Sequence, residues 1–293
     1  MWRTGARLMI QDLRTEIEGL VEFPPMPEMA REIMALGPEP SAQELARVVD
    51  KDPAMAGQIM RYALSPFFGY RGKIHSVQAA VSRVLGVERA IELVFGLAAG
   101  KTFLGPNDGP VGRLAVWTHG LATATLAHAL AAEVPQALRP APGMCYLAGL
   151  FQDIGLLLLG HLYPAHIRSL NRALEDDPDA SLADVEQRMF GIDHTESGTF
   201  LLRKWNMPAD LITAVRQHHN PDYHGDHLAH LAVLMFADHY ARCYEQQCDV
   251  DLELCRRLAG RLDLDVAAAL ATSERIAAGF AHVQDLARDL IAA

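Results

Sequence analysis

The chain has 293 residues, of which 50% are hydrophobic and 21% charged, and its formal net charge is −10. That balance is ordinary for a globular protein of one large domain or two modest ones. The acidity repels a phosphate backbone and argues against non-specific nucleic-acid binding. Cys145, Cys243, Cys248 and Cys255 show no CxxC spacing and fit no zinc knuckle, so free thiols in a reducing compartment are expected. The apolar run at 151–160 is short for a bilayer and is interrupted by Asp153, and Met1–Leu20 has no signal-peptide core. A cytoplasmic protein without a membrane span is expected.

Apolar spacing is helical almost throughout, and no run of alternating β-branched residues stands out, so the chain reads as all-α. A first helix is predicted over Gln11–Gly19. Phe23-Pro24-Pro25-Met26-Pro27 is a stiff extended link, because a residue before proline avoids the helical region. The next helix puts Met29, Ile33, Met34 and Leu36 on one side and stops at Gly37-Pro38. Ser41 with Glu44 is a capping-box signature for Ala42–Asp50, and Asp52-Pro53 starts a helix reaching Leu64. Ser65-Pro66-Phe67-Phe68-Gly69 reads as a loop. Ser76 caps a helix ending at Leu85-Gly86, and residues 87–103 form a buried helix.

Leu104–Gly112, rich in glycine and proline, is the expected boundary between two lobes. Helices are predicted near 112–133, 142–160, 163–175, 181–190, 194–205, 208–219 and 226–247, with two or three more closing the C-terminus. Gly96-Leu97-Ala98-Ala99-Gly100-Lys101-Thr102 looks like a phosphate-binding loop. It has three residues between its glycines where the loop needs four, and a helix precedes it, so it is read as a helix end. The Ala-rich segment from Val266 to Ala293 is amphipathic and reads as packing helices.

Histidines and aspartates recur on several of these helices: His119, Asp153, His194, His218, His219 and Asp238. Taken singly, each could be a satisfied core or surface residue. Together they are the donor types that hold a divalent metal in a helical bundle, where the metal would polarise a phosphoryl oxygen and activate water.

Several segments match a known pattern in order and spacing. They are Phe23-Pro24-Pro25-Met26-Pro27, Asp52-Pro53-Ala54, Ala63-Leu64-Ser65, Phe68-Gly69 and the run Ile74, Ser76, Ala80, Leu85-Gly86. Further on come Trp117-Thr118-His119, Ala148-Gly149-Leu150-Phe151-Gln152-Asp153-Ile154-Gly155 and Glu186 through His194. Trp205-Asn206-Met207-Pro208 and Val215-Arg216-Gln217-His218-His219-Asn220-Pro221 complete the set. Over roughly residues 20–240 the chain resembles the HDOD family, a branch of the HD superfamily found in bacterial signalling proteins. The resemblance implies an N-terminal helical lobe, residues 1–108, packed on an HD-like helical bundle with C-terminal helices, residues 109–293.

In catalytic HD relatives the resemblance implies metal ligands at His119, at the His-Asp pair that is here Gln152-Asp153, and at Asp238. In the HD-GYP branch, which cleaves cyclic dinucleotides, it implies further histidines at His194 and at His218 or His219. Leu64 stands where asparagine is usual, Gln152 replaces the motif histidine, and Leu156 replaces a frequent lysine. The Gly-Tyr-Pro loop is replaced by Asp222-Tyr223-His224-Gly225. An amide oxygen is a far weaker donor to iron, manganese or zinc than an imidazole nitrogen, and Leu156 places no positive charge beside a phosphate.

The resemblance therefore implies a non-catalytic signal-transduction module, acting through a protein partner or a small signalling nucleotide. The alternative is a metal-dependent phosphohydrolase or phosphodiesterase acting on a nucleotide or cyclic dinucleotide. No catalytic residue or cofactor is assigned, a residual divalent ion (iron, manganese or zinc) and a homodimer stay open, and output by association is expected because no receiver, kinase or cyclase segment is attached.

Overall fold

A computed structural model describes residues 13–20, 23–37, 39–64 and 70–292. The expected loop at 65–69 and the start of the first predicted helix lie outside the described residues. Among the described residues there is no strand, and one continuous apolar core runs from Leu13 to Ala287.

Short helices build the N-terminal part: α1 (Leu13–Glu18), α2 (Glu28–Met34), α3 (Ala42–Val49), α4 (Pro53–Ala63) and α5 (Val77–Ala80). The capping box is present at α3. Ser41 Oγ accepts from Glu44 N at 3.2 Å, and Glu44 Oε2 accepts from Ser41 N at 2.8 Å. Asp52 caps α4 through the amides of Ala54 and Met55, with Pro53 in the first turn. After α5 the predicted helix widens into a π-turn over Val81–Leu85 and stops at Gly86, whose φ of 77° suits glycine.

The segment that looked like a phosphate loop lies inside α6 (Val87–Thr102). A Cβ at Gly96 would meet Leu150 Cδ2 at 2.7 Å, so this glycine serves helix packing. Lys101 Nζ is held 2.9 Å from Asp52 Oδ2. The connection to α7 (Arg113–Glu133) is tied down: Leu104 N donates to His161 Nδ1 at 3.1 Å, and Val111 N to Asn171 Oδ1 at 2.8 Å.

The predicted single helix near 142–160 is two helices, α8 (Pro142–Phe151) and α9 (Ile154–Leu162). Asp153, at φ −101° and ψ 18°, leaves the helical region and turns the chain between them. Pro142–Leu162 has the length and hydropathy of a membrane span, but it is 89% buried inside the protein. It is apolar because protein surrounds it on all sides.

The remaining helices are α10 (Pro164–Asp176), α11 (Leu182–Phe190), α12 (His194–Lys204), α13 (Ala209–Gln217), α14 (Leu228–Gln246), α15 (Leu252–Gly260), α16 (Val266–Ala277) and α17 (Phe280–Ala292). The long α7 is the axis of the bundle, with α8, α14, α16 and α17 packed around it. Trp205 Nε1 donates to Pro24 O at 2.9 Å, which pins the proline-rich link against the end of α12.

Two of these packings generate tests. A Cβ at Gly155 would lie 2.0 Å from His194 O, so α9 and α12 touch backbone to backbone there. Gly155→Ala is expected to cost more than about 2 kcal/mol in chemical denaturation, from forced displacement of the two helices. Gly57→Ala in α4, where nothing lies within 4 Å of the new methyl, should be neutral or stabilise by about 0.5 kcal/mol.

Glu92 in α6 is 2% exposed, and both its oxygens lack a hydrogen-bond partner among the described residues. Burial and the nearby charge of Glu88 push its carboxyl up to about 9 against the pull of Arg89. The folded state therefore holds a proton that the unfolded chain releases near its ordinary value of 4.5, and stability falls as pH rises from there towards 9. Glu92→Gln is expected to stabilise by on the order of 2 kcal/mol at pH 7–8 and by almost nothing near pH 4.5. Thermal melts across that range measure the difference.

Candidate functional site

Five parts of the bundle converge on one buried polar centre. His119 projects from α7, two residues after the fully buried Trp117. Gln152 and Asp153 occupy the break between α8 and α9, where the chain turns and two polar side chains leave an otherwise apolar segment. His194 is the first residue of α12, whose N-terminus is fixed by Asp193 accepting from Glu196 N at 2.9 Å. His218 closes α13, His219 follows it, and Asp238 lies on α14. Close contact of α9 with α12 at Gly155, and of α8 with α7 at Gly149 (where a Cβ would be 2.6 Å from Ala124), brings these groups together.

The six sequence-predicted residues fall into two adjoining halves. In the first, Asp153, His194, His218 and His219 each offer one ligand atom, and these atoms lie within 4.8 Å of one another. His194 Nε2 is 3.5 Å and His218 Nε2 is 3.7 Å from Asp153 Oδ1, while His194 Nε2 is 3.0 Å from His219 Nε2. Ligand atoms about 2.1 Å from a tetrahedral ion stand about 3.4 Å apart, so this spacing suits one ion.

The orientation of the rings suits it too. His218 Nδ1 donates to Val215 O at 2.8 Å, which leaves Nε2 facing the centre, buried and without a hydrogen-bond partner. His194 Nδ1 lies 2.6 Å from Glu186 Oε2 with both side chains fully buried. A carboxylate behind a ligating imidazole is the usual way its far nitrogen is aimed.

Electrostatics tie this half together without an ion. Burial opposes a proton on His194, but the charge and hydrogen bond of Glu186 and the charge of Asp153 outweigh it and lift the imidazole to about 9. Burial likewise opposes ionisation of Asp153, yet His218, facing it at 3.7 Å, and the His194 charge hold its carboxyl well below the ordinary range. His219, at the rim, is pushed well below the ordinary imidazole value by burial and then by His218 and His194. Its lone pair stays open to a proton or a metal.

The second half contains His119 and Asp238, and protein donors fill it. Asp238 Oδ1 faces His119 Nε2 at 2.8 Å, Gln152 Nε2 at 3.0 Å and Arg242 Nη2 at 3.0 Å, and Arg242 Nη2 also lies 3.3 Å from Oδ2. Glu245 Oε2 holds the other nitrogen of His119 at 3.0 Å. Burial works against a charged His119, but the hydrogen bonds and charges of Asp238 and Glu245 raise it to about 10. Burial also works against the Asp238 carboxylate, and Arg242, then His119, hold it far below the ordinary range.

Only the NH2 of an amide can donate to a carboxylate, so the chemistry fixes which end of Gln152 faces Asp238. The same nitrogen lies 3.3 Å from Thr123 Oγ1, and Gln152 Oε1 is buried with no hydrogen-bond partner among the described residues. The residues of the first half therefore fit a single divalent ion, and those of the second do not fit another.

Sequence reading missed Arg242, Glu245 and Thr123. Arg242 carries a signal, since it stands one helical turn after Asp238. Thr123 and Glu245 carry none in one dimension. A separate cluster, Asp210, His227 and His230, also brings its ligand atoms within 4.8 Å of one another, but it lies at the N-terminal ends of α13 and α14, where the helix dipoles oppose a cation.

The HDOD domain family matches residues 23–221. A protein from Marinobacter aquaeolei VT8, titled as a candidate signal transduction protein, is 29% identical with a TM-score of 0.80, over 96% of this chain and 61% of that one. An HDOD domain protein of unknown function from Geobacter sulfurreducens shares the fold at 23% identity and a TM-score of 0.75, over 97% of this chain and 98% of that one. An uncharacterized protein of Treponema pallidum (strain Nichols) is 25% identical over 202 residues, 68% of this chain and 38% of its own length. The chain thus spans less than two thirds of the length of the Treponema and Marinobacter proteins it matches. With the family match running from the proline-rich link to the histidine pair, the chain belongs to the HDOD family.

Proposed function

We propose that this HDOD chain is a non-catalytic signal-transduction module, acting by association with a partner protein, and that its polar centre holds the helices in register. The observation that carries the reading is the hydrogen bond from Gln152 Nε2 to Asp238 Oδ1. At the position where a hydrolytic HD centre presents a lone pair to a metal, this chain presents a donor. The carboxylate that would bind the same metal is already engaged.

Asp153, His194, His218 and His219 would hold one divalent ion. Bound there, such an ion supplies Lewis acidity and a lowered pKa for a coordinated water. The chain's own residues do the rest: Glu186 aims His194, Val215 O aims His218, and the Asp153 carboxylate closes the set. The unpartnered Nε2 of His218 keeps a second reading in view, a phosphohydrolase working with a single ion on a nucleotide or cyclic dinucleotide. Leu156 weighs against it, being 3% exposed in the α9 core with no charge to offer a phosphate.

The purified chain, loaded with manganese or iron and offered nucleoside phosphates, cyclic dinucleotides and a chromogenic phosphodiester, is expected to show no turnover above the Asp153→Ala variant. Turnover that Asp153→Ala abolishes would replace this reading with the hydrolytic one.

A further inference from the structure

We infer that Arg242 takes the place of a metal ion: the Asp238 half of the centre is closed to metal by a guanidinium from its own helix, and the centre accepts at most one divalent cation. The inference deepens the proposed function and rests on its reading of Asp153, His194, His218 and His219 as the single-ion half.

The geometry leaves little freedom. A metal on Asp238 Oδ1 would sit about 2.1 Å from that oxygen. The oxygen already faces three donors at 2.8–3.0 Å. One of them is a nitrogen of the half-buried Arg242 guanidinium, and a dication bonded to the same buried carboxylate would stand a few ångströms from its positive charge, where screening is weaker than in water. Arg242 cannot be neutralised to relieve this, because guanidinium keeps its proton in proteins and Asp238 beside it raises its pKa further.

The substitution is also self-contained. Asp238 and Arg242 are four residues apart on α14, so the anion and its replacement cation are delivered together with no contact from elsewhere needed. Gln152 completes the exchange from the α8–α9 break. A histidine there with a free lone pair would leave Asp238 short of a donor, whereas the amide supplies one. Arg242 and Gln152 thus act as a pair: one brings the charge of the missing ion, and the other turns a metal ligand into a hydrogen-bond donor.

The test is metal stoichiometry, which needs no activity. Metal-stripped protein is dialysed against manganese or zinc and analysed for bound ion per chain, with helicity and melting temperature recorded alongside. The wild type is expected to hold one ion or none, and the double variant Gln152→His with Arg242→Gln one more than the wild type. Two ions in the wild type, or a folded double variant with no additional ion, overturns the inference.

Should the double variant fail to fold, Asp238→Asn decides. Wild-type metal affinity retained to within about tenfold, the scale of an indirect effect on a metal site, supports the inference, and its loss overturns it. A wild type that binds no ion removes the single-ion reading of the histidine half, while the gain in the double variant still judges Arg242. Phosphodiester turnover, read separately, judges the non-catalytic assignment.

Discussion

Asp238 is 7% exposed, and the rest of the centre is arranged around satisfying its carboxylate. A buried carboxylate is tolerable only with close positive or donating partners, because taking its charge out of water costs several kcal/mol. A metal ion is one solution. This chain uses another: a guanidinium, an imidazolium and an amide drawn from α14, α7 and the α8–α9 break. The choice fixes more than local chemistry, since those three segments form the bundle's axis and its closest packings. Removing any one donor would leave a charge buried without full compensation, so the three helices hold one another in place through a single oxygen atom.

The neighbouring half is built on the opposite principle. Asp153 shares its surroundings with three imidazoles, yet His218 Nε2 has no hydrogen-bond partner and His194 and His219 face each other nitrogen to nitrogen at 3.0 Å. Two imidazole nitrogens at that distance need a proton or a cation between them. The lift in the His194 pKa, driven chiefly by Glu186 and Asp153, supplies the proton. One half of the centre is therefore complete as folded, and the other is complete only by borrowing a proton.

Much of this was legible in one dimension. The capping signals at Ser41, Asp52 and Ser76 are local chemistry, and the structure shows each side chain accepting the expected backbone amide. The false phosphate loop was rejected on spacing, and α6 runs straight through it. The six site residues were named from residue type and order, and the fold brings four of them into one cluster and pairs the other two beside it. The break at Gln152-Asp153 was not legible. The mostly apolar stretches on either side favour one long helix, and only the tertiary pull of Thr123, Asp238, His194 and His218 on the two polar side chains favours a turn. The π-turn at Val81–Leu85 left no mark in the apolar spacing either. Arg242 was overlooked for a simpler reason. On an acidic chain an arginine four residues from an aspartate reads as an ordinary surface pair, and burial of the aspartate is what changes its meaning.

Arg242 and Gln152 are each insufficient alone to satisfy Asp238. Without Arg242 and Gln152, Asp238 would keep His119 as its one close partner, itself shared with Glu245, and the penalty for an under-compensated buried charge is commonly about 3–5 kcal/mol, a large share of a domain's stability. Changing histidine to glutamine alone adds a donor but no charge. Arginine alone adds charge but leaves a metal-binding imidazole in competition for the same oxygen. With both in place the carboxylate is neutralised and its lone pairs are taken. The two residues are far apart in sequence and meet on one oxygen, so together they hold three segments of the centre in register through Asp238 without an ion on that oxygen.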